Sequence, residues 1–432
     1  MQAGAVKKRR ADQPAKRLHD LIENQWRSLR ERPTWKALAL VHPFAAPMSP
    51  YLAERIINAA TEADDVVLDP MAGSGTVPVT AMALSRSCWA MDIDPLALMI
   101  MEVRCGRYSQ KEIEYAADRV LTQALDLQRD YRALDARFRK DFDEETQGFI
   151  NYWFPLQARR SLIALWDAVC QVEPKHVRLP LKVAFSRTII AKTAGASYAV
   201  DLPHTRPHRD FAKEVPDPLV LFPRRVKELV RLMHNGRGSN DRPTLHLISG
   251  DARKLPLNDN SVDLILTSSP YANAIDYMRA HKFSLVWMGY KISYLRELRA
   301  RMIGAERGVV ESAPELRWLE SWLPNSPVLA SRIAILRRFF HDMDSALTEM
   351  YRVLRPGGAC VLIVGKSYVR GHLIDTPRIL TEIARNRGFD HLGTVYRSLN
   401  RNRRYLPFPR SARPDEPLGK RMAQEAIVAL AR

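Results

Sequence analysis

The segment 66–76 constrains the fold of this chain more than any other part of the sequence. It reads VVLDPMAGSGT, so that three apolar residues lead to an acid, then to a turn of small residues, and then to a run typical of a helix. This order predicts a buried parallel strand that ends at Asp69 and turns tightly into a helix N-terminus. Gly73 and Gly75 permit positive φ and a close backbone approach. Doubly wound sheets bind ligands in such a crevice, at the carboxyl end of a strand.

This turn differs from the two best-known glycine-rich motifs. It lacks the third glycine of the dinucleotide fingerprint, and no Gly-Lys-Ser/Thr follows it as in a phosphate loop. An acid at the end of the strand suits a ligand that carries a cationic amino-acid group. An ordinary strand-to-helix turn that holds no ligand is the alternative that this segment alone leaves open.

Two further predicted strands also end in acids. Asp92 and Asp94 follow the apolar run of CWAMDIDP, and Asp251 follows that of TLHLISGD. Parallel strands bring their carboxyl ends to one edge of the sheet, so these acids are expected beside Asp69. An acid about 20 residues beyond the small-residue turn holds ribose hydroxyls in such folds. We assign that position to Asp92, with Asp94 as the alternative, although Asp94 also fits a helix cap before Pro95.

A fourth apolar segment, Val262–Thr267, is followed by the tetrapeptide Ser268, Ser269, Pro270 and Tyr271. This tetrapeptide is expected at the same edge as the three acids. Taken alone, it is also compatible with a turn that ends a strand and buries a tyrosine. Beside the acids, it predicts a crevice in which a nucleoside-bearing ligand lies next to a reaction site.

The rest of the chain predicts a large α/β domain interrupted by helices. Strands expected near residues 360–364, 391–399 and 425–430 bring the total to seven, and long helical patterns occupy residues 108–244. We therefore predict a Rossmann-like, doubly wound, mostly parallel seven-stranded sheet with a helical insertion. Residues 1–40 are predicted to be a basic N-terminal arm in which 18–31 are helical.

The charge of the chain favours a polyanionic partner. Its 66 basic and 48 acidic residues give a net charge of +18, which is most simply explained by nucleic acid. No apolar run reaches the roughly 18 residues of a membrane span. The four cysteines lack paired spacing and are expected to be reduced, so we expect a cytoplasmic protein without a metal. The insertion contains a loop in which His204 and Arg206 could contact phosphates or a base, although a salt-bridged surface loop fits them equally well.

These motifs resemble those of the S-adenosylmethionine-dependent amino methyltransferases of DNA, the N4-cytosine and N6-adenine group. Residues 69–76 are similar to the family's cofactor loop, usually Asp-Pro-Phe-x-Gly-Ser-Gly-Thr, and residues 268–271 to its Ser-Pro-Pro-Tyr motif. Residues 42–49 resemble the stretch around the methionine end of the cofactor. The resemblance covers 41–107 and 245–432, which it implies to be the catalytic domain. It implies that the insertion 108–244 is a possible target-recognition region.

The resemblance implies a set of site residues and no metal. The residues that would bind S-adenosylmethionine are Asp69, Pro70, Ala72, Gly73, Gly75, Thr76, Asp92 and Asp251, with Asp251 facing the adenine amine. The catalytic residues would be Ser268, Ser269, Pro270 and Tyr271. The residues that would bind the substrate are Asn273, Arg279, His204 and Arg206.

The implied chemistry is methylation of the exocyclic amine of a base flipped out of double-stranded DNA. The lone pair of such an amine is shared with the ring, so a fixed acceptor must localise it. The Ser268 hydroxyl and the Ser269 carbonyl are the expected acceptors, with positioning supplying much of the rate. Tyr271 would stack on the extruded base, because the target atom is unreachable inside a duplex.

The sequence departs from the family at Ser269, where proline is usual. Proline fixes φ and lacks an amide donor, so serine is expected to leave the loop freer. A serine at the first position favours cytosine N4 over adenine N6. Methylation of RNA or of a protein glutamine, and a non-catalytic nucleic-acid-binding protein, are the alternatives. A restriction-modification role is implied only by the resemblance, and the sequence leaves monomer and dimer open.

Overall fold

The centre of the molecule is a seven-stranded sheet with helices on both faces. The computed structural model describes residues 13–24, 41–191, 194–202, 207–233, 243–270, 272, 276–305, 314–323, 330–370, 372–398 and 424–432. The strands are β1 Val66–Asp69, β2 Ser87–Asp92, β3 Ala199–Val200, β4 His208–Arg209, β5 Leu245–Ser249, β6 Val262–Ser268, β7 Leu354–Gly365, β8 Ser367–Val369, β9 His372–Ile374, β10 Asp390–Ser398 and β11 Gln424–Ala431.

The main sheet has the strand order β10-β11-β7-β6-β1-β2-β5. Neighbouring strands from β5 to β7 are parallel, and β11 is antiparallel to both β7 and β10. From β1 the chain proceeds outward to β2 and β5, then returns to β6 on the other side of β1. The strand order thus reverses between β1 and β6, which is where doubly wound sheets form a ligand crevice. The predicted mostly parallel, doubly wound α/β fold is confirmed.

Two helical layers cover this sheet. The α-helices are Gln13–Asn24, Pro50–Ala60, Thr76–Ala83, Pro95–Cys105, Gln110–Gln128, Tyr131–Asp141, Glu144–Trp153, Leu156–Cys170, Lys175–Ile189, Pro218–Leu232, Met278–Leu285, Ile292–Arg301, Ala330–Val353 and Thr376–Asn386, and the 3₁₀ helices are Val286–Met288 and Pro314–Trp322. One face of the sheet packs on the helices that begin at Gln13, Pro50 and Thr76. The other face packs on those that begin at Ala330 and Thr376. Alternate residues of β1 serve the two cores, since Val67 lies in the first and Leu68 in the second.

The long connection between β2 and β5 is the predicted helical insertion. Its helices share one apolar core with the helix Pro95–Cys105 and with the helices between Met278 and Arg301. The small ribbon β3–β4 lies within this connection. The insertion therefore packs directly against the segment that follows β6, which is the segment that carries the predicted catalytic tetrapeptide.

The predicted N-terminal helix is confirmed over residues 18–24, and residues 25–31 lie outside the described residues. The helix Gln13–Asn24 buries Leu18 and Leu21 against the sheet. The spacing of these two residues places them on one face of a helix, which explains why this segment docks on the domain. The basic cluster at residues 7–10 lies outside the described residues.

Candidate functional site

The turn after β1 has the positive φ angles that its two glycines were expected to permit. Gly73 and Gly75 have φ of +52° and +79°. A Cβ atom on Gly73 would lie 3.1 Å from the Phe44 ring, and one on Gly75 would lie 2.5 Å from Met101 Cγ. Both positions therefore require glycine for conformation and for space. The turn enters the helix Thr76–Ala83 directly, with Gly75 as the cap residue.

Asp92, at the end of β2, holds this turn in place. Its Oδ2 atom accepts a hydrogen bond from the Gly73 amide at 2.8 Å, and its Oδ1 atom accepts one from the Asp94 amide at 2.9 Å. Asp94 has a different role from Asp92. It caps the helix Pro95–Cys105 by accepting a bond from the Leu96 amide, and its other oxygen contacts Nδ1 of His281. The helix-cap interpretation of Asp94 is thus confirmed.

Two acids make this end of the sheet receptive to a cation. Burial raises the pKa of Asp69 to about 7, against the lowering effect of the neighbouring Thr267 hydroxyl and of the Met71 amide, which donates to Asp69 Oδ1 at 3.2 Å. Burial, together with the neighbouring charge of Asp94, raises the pKa of Asp92 to about 6. A buried carboxylate is costly without a partner, so a cationic ligand here would relieve that cost.

The ends of β1, β2, β5 and β6 border one cleft. The empty volume of the cleft, including the part open to solvent, is about 920 Å³. Six of the predicted site residues line it: Pro70, Gly73, Asp92, Asp251, Ser268 and Pro270. The predicted cofactor residues Asp69, Ala72, Gly75 and Thr76 are not in the lining; they form the strand end and turn behind it. The sequence predicted that the turn after β1 and the tetrapeptide after β6 share one crevice. In the structure, residues of both segments line one cleft, and the strand order explains why.

Asp251 lies in the cleft wall but is already engaged. Both of its oxygens accept bonds from the Arg253 guanidinium, at 2.9 and 2.6 Å. Burial alone would raise the pKa of Asp251, yet the bonds from Arg253 hold it below its usual value. Arg253 also pairs with Asp342 at 2.5 Å. Each carboxylate oxygen can accept more than one hydrogen bond. Asp251 can therefore accept a bond from a ligand amine in addition to those from Arg253.

The tetrapeptide begins where β6 ends. Ser268 is the last residue of β6 and lines the cleft with Pro270. The Ser269 amide donates to the Ile363 carbonyl of β7 at 3.1 Å, which extends the β6–β7 ladder by one bond. The expectation that serine leaves this position freer is therefore wrong for the backbone, because proline could not make this bond. The buried Ser269 hydroxyl has no hydrogen-bond partner among the described residues. Tyr271 lies outside those residues.

Of the four predicted substrate-binding residues, only Arg279 lies among the described residues. Arg279 pairs with Asp276 at 3.0 Å, and Asp276 also binds Arg299. Of these three, Asp276 and Arg299 line the cleft, whereas Arg279 does not. Asn273, His204 and Arg206 lie outside the described residues, so their assignment stays a prediction.

Parts of the cleft wall were not predicted from the sequence. Phe44 lines the cleft and stacks on Tyr277, with ring centroids 5.1 Å apart, and the Tyr277 hydroxyl donates to the Ala45 carbonyl at 3.4 Å. The segment 301–305 supplies the wall next to Asp251. The Pro-rich stretch at 42–49 signalled the position of Phe44, but no local pattern marked Tyr277 or 301–305.

Two classes of feature are not found within the described ranges. No group of three or more His, Cys, Asp or Glu side chains is placed to hold a metal ion there. Nor does any helix in those ranges have the length and apolar character needed to cross a membrane.

Comparisons with known proteins agree with this geometry. A family model described as DNA methylase, of the N6 and N4 type, matches residues 3–102, which include β1, its turn and β2. The Type II methyltransferase M.MvaI of Kocuria varians is 22% identical over 437 residues, covering 91% of this chain and 90% of its own. The Type II methyltransferase M.BsoBI of Geobacillus stearothermophilus is 21% identical, covering 75% and 73%. A solved rRNA methyltransferase, aviRa from Streptomyces viridochromogenes, aligns over 93% of this chain with 12% identity and a TM-score of 0.31, which is too low to support an argument.

Proposed function

We propose, from the match to the DNA methylase family model and the similarity to Type II methyltransferases, that this chain transfers a methyl group from S-adenosylmethionine to the exocyclic amine of a DNA base. One observation carries the proposal. Pro70 and Gly73 of the turn after β1 line the same cleft as Ser268 and Pro270 of the tetrapeptide, because the order of the sheet reverses between β1 and β6. A donor and an acceptor held in one cleft can react with little further loss of freedom.

The lining of the cleft fits the donor in charge. Asp92 presents a half-buried acid toward a ligand that carries an ammonium and a sulfonium, Asp69 lies buried behind the lining, and Gly73 keeps the approach open. When bound, S-adenosylmethionine supplies an electrophilic methyl group. Asp92 is our choice for the ribose hydroxyls, since its oxygens retain acceptor capacity beyond the two amide bonds.

The chain's own part in the reaction is to orient the amine. The Ser268 hydroxyl and the Ser269 carbonyl are proposed to accept bonds from the two amine protons, which directs the nitrogen lone pair toward the donor. Strand pairing holds the backbone of both residues, since Ser268 is part of β6 and the Ser269 amide is bonded to Ile363. Acceptors that are already oriented need no rearrangement during the reaction.

We further propose that the base is flipped out of double-stranded DNA and stacks on Tyr271. Stacking on an aromatic side chain is worth about 1–3 kcal/mol in single-strand binders, which is comparable to the few kcal/mol that unstacking costs. The net charge of +18 would attract the phosphate backbone. Cytosine N4 is the proposed target atom on account of Ser268, with adenine N6 as the alternative, and the insertion 108–244 is the proposed reader of the target sequence.

The names of M.MvaI and M.BsoBI extend the proposal to a biological role. Both relatives are Type II methyltransferases, and both cover most of this chain. We propose by analogy that this chain modifies DNA within a restriction-modification system. Its site of action in the cell would then be the cytoplasm, where DNA and the methyl donor meet.

The test is methyl transfer from labelled donor to double-stranded DNA, to RNA and to a glutamine-containing peptide. We expect label in DNA that resists RNase and is released as a modified nucleoside by nuclease. Ser268→Ala should abolish most of it. Ser261→Ala is the matched control, because Ser261 precedes β6 at its opposite end and its hydroxyl bonds only to the local carbonyl of Asn258. Label found only in RNA or only in peptide would show that this molecule, and not DNA, is the substrate. Donor binding without any transfer would reject the enzymatic function.

A further inference from the structure

The helix Met278–Leu285 follows the tetrapeptide and is joined to the cofactor side of the cleft by a buried pair of side chains. His281 Nδ1 contacts Asp94 Oδ2, and each side chain is only 3% exposed. Asp94 lines the cleft, and its amide donates to Asp92. The pair thus connects the helix to the strand end that carries the proposed ribose-binding acid.

An aromatic contact reinforces this connection. The Phe44 ring stacks on Tyr277 and lies 5.3 Å, centroid to centroid, from the His281 ring. Phe44 also faces Gly73 of the cofactor turn, where a Cβ would meet its ring at 3.1 Å. The imidazole of His281 therefore touches the cofactor side twice, through a polar bond and through an aromatic ring.

The same helix is held on its other side by the insertion. The hydroxyls of Ser284 and Ser186 lie 2.8 Å apart, and Ser186 is also bonded to His42. Phe283 packs edge-on against Trp153 at 4.9 Å between centroids. The contacts from Ser284 through Ser186 to His42 lead back to the segment before Phe44, whereas Phe283 anchors the helix in the core that it shares with the insertion.

We propose that His281 is a positioning residue, whose bond to Asp94 fixes the helix Met278–Leu285, and the tetrapeptide loop before it, relative to the cofactor side of the cleft. The inference rests on the proposed function, because it concerns the alignment of donor and amine. It predicts that losing the bond weakens methyl transfer far more than it weakens donor binding. A misplacement of about 1 Å can cost on the order of 100-fold in rate.

Three substitutions separate the bond from the bulk of the ring. His281→Asn places an amide donor where Nδ1 stood, His281→Gln places its donor nearer the former Nε2, and His281→Phe keeps the ring but removes the donor. Phe283→Leu is the matched control, since it reduces a buried contact of the same helix with Trp153 of the insertion. Thermal unfolding of all four variants identifies any that do not fold.

Three measurements are made on the full chain: the single-turnover rate of methyl transfer, the Kd for S-adenosylmethionine without DNA, and amide hydrogen exchange in 278–285 with and without S-adenosylhomocysteine. We expect His281→Gln and His281→Phe to lose about 10- to 100-fold in rate, with Kd changed by about threefold or less. In the native chain and in His281→Asn the added ligand should slow exchange in this helix. In the other two His281 variants it should not.

The outcomes distinguish this inference from the proposed function. Equal rates and equal exchange in all His281 variants would overturn the inference. Losses in rate that follow thermal stability and that also occur in Phe283→Leu would overturn it as well. A native chain that binds the donor but transfers no methyl group would reject the proposed function, and the exchange measurement would still decide the role of His281. A native chain that binds no donor would overturn both.

Discussion

The second residue of the tetrapeptide offers a sharp test of how the site is held. Ser269 is buried, and its amide gives the last bond of the β6–β7 ladder to the Ile363 carbonyl. Ser269→Pro would remove that donor and leave a buried carbonyl without it, whereas Ser269→Ala would keep it. Both substitutions also remove a hydroxyl that has no partner within the described ranges, so the difference between them isolates the amide.

The magnitude follows from this difference. An orphaned buried carbonyl costs about 1–3 kcal/mol, and proline returns about 0.4–1 kcal/mol by restricting the unfolded chain. Ser269→Pro should therefore be about 1–2 kcal/mol less stable than Ser269→Ala. Urea unfolding followed by tryptophan fluorescence measures the free energy of unfolding of each variant. A proline variant as stable as the alanine variant would refute the idea that this ladder bond holds the loop.

Three further predictions concern the cofactor side and the amine side of the cleft. Because the pKa of Asp69 is raised to about 7 and that of Asp92 to about 6, the unliganded protein should lose stability as pH rises through this window, and the rise in Tm caused by S-adenosylmethionine should be larger at pH 8 than at pH 5.5. A ligand-induced rise that is the same at both values would contradict this reasoning, and Asp92→Asn should flatten the dependence. Gly75→Ala, at φ +79° and in contact with buried Met101, should cost about 1–2 kcal/mol in unfolding free energy and weaken donor binding in titration calorimetry. Ser268→Ala should lower the single-turnover rate on the order of 100-fold while donor affinity stays within about threefold; an equal loss in both would show that Ser268 acts on binding instead.

The local parts of the site could be predicted from the sequence because their causes are local. The turn after β1 follows from two glycines and an acid within eight residues, and the helix cap of Asp94 follows from the proline next to it. The meeting of four polar strand ends at one edge of the sheet could also be expected, because parallel strands bring their carboxyl ends together. These features depend on backbone conformation and on the parallel arrangement, both of which leave patterns in a short stretch of sequence.

The remaining parts depend on contacts between distant segments. The Ser269 amide bonds to Ile363 in β7, and His281 reaches Asp94 across the insertion. Asp251 was predicted to face the adenine amine of the donor, and both of its oxygens also accept bonds from Arg253. The arginine two residues after Asp251 was a sequence signal for this pairing. Pairings between distant segments are set by tertiary packing, and no spacing rule within one segment reveals them.

The central claim is that the cleft between β1 and β6 joins a methyl donor to an amine of DNA. The most direct measurement is nucleoside mass spectrometry of DNA from cells that express the native chain or Ser268→Ala, at equal amounts of folded protein. The account predicts N4-methylcytosine in the first DNA and little of it in the second, with N6-methyladenine as the outcome that would change only the target base. Unmodified exocyclic amines in DNA from cells with native protein that binds S-adenosylmethionine would contradict it.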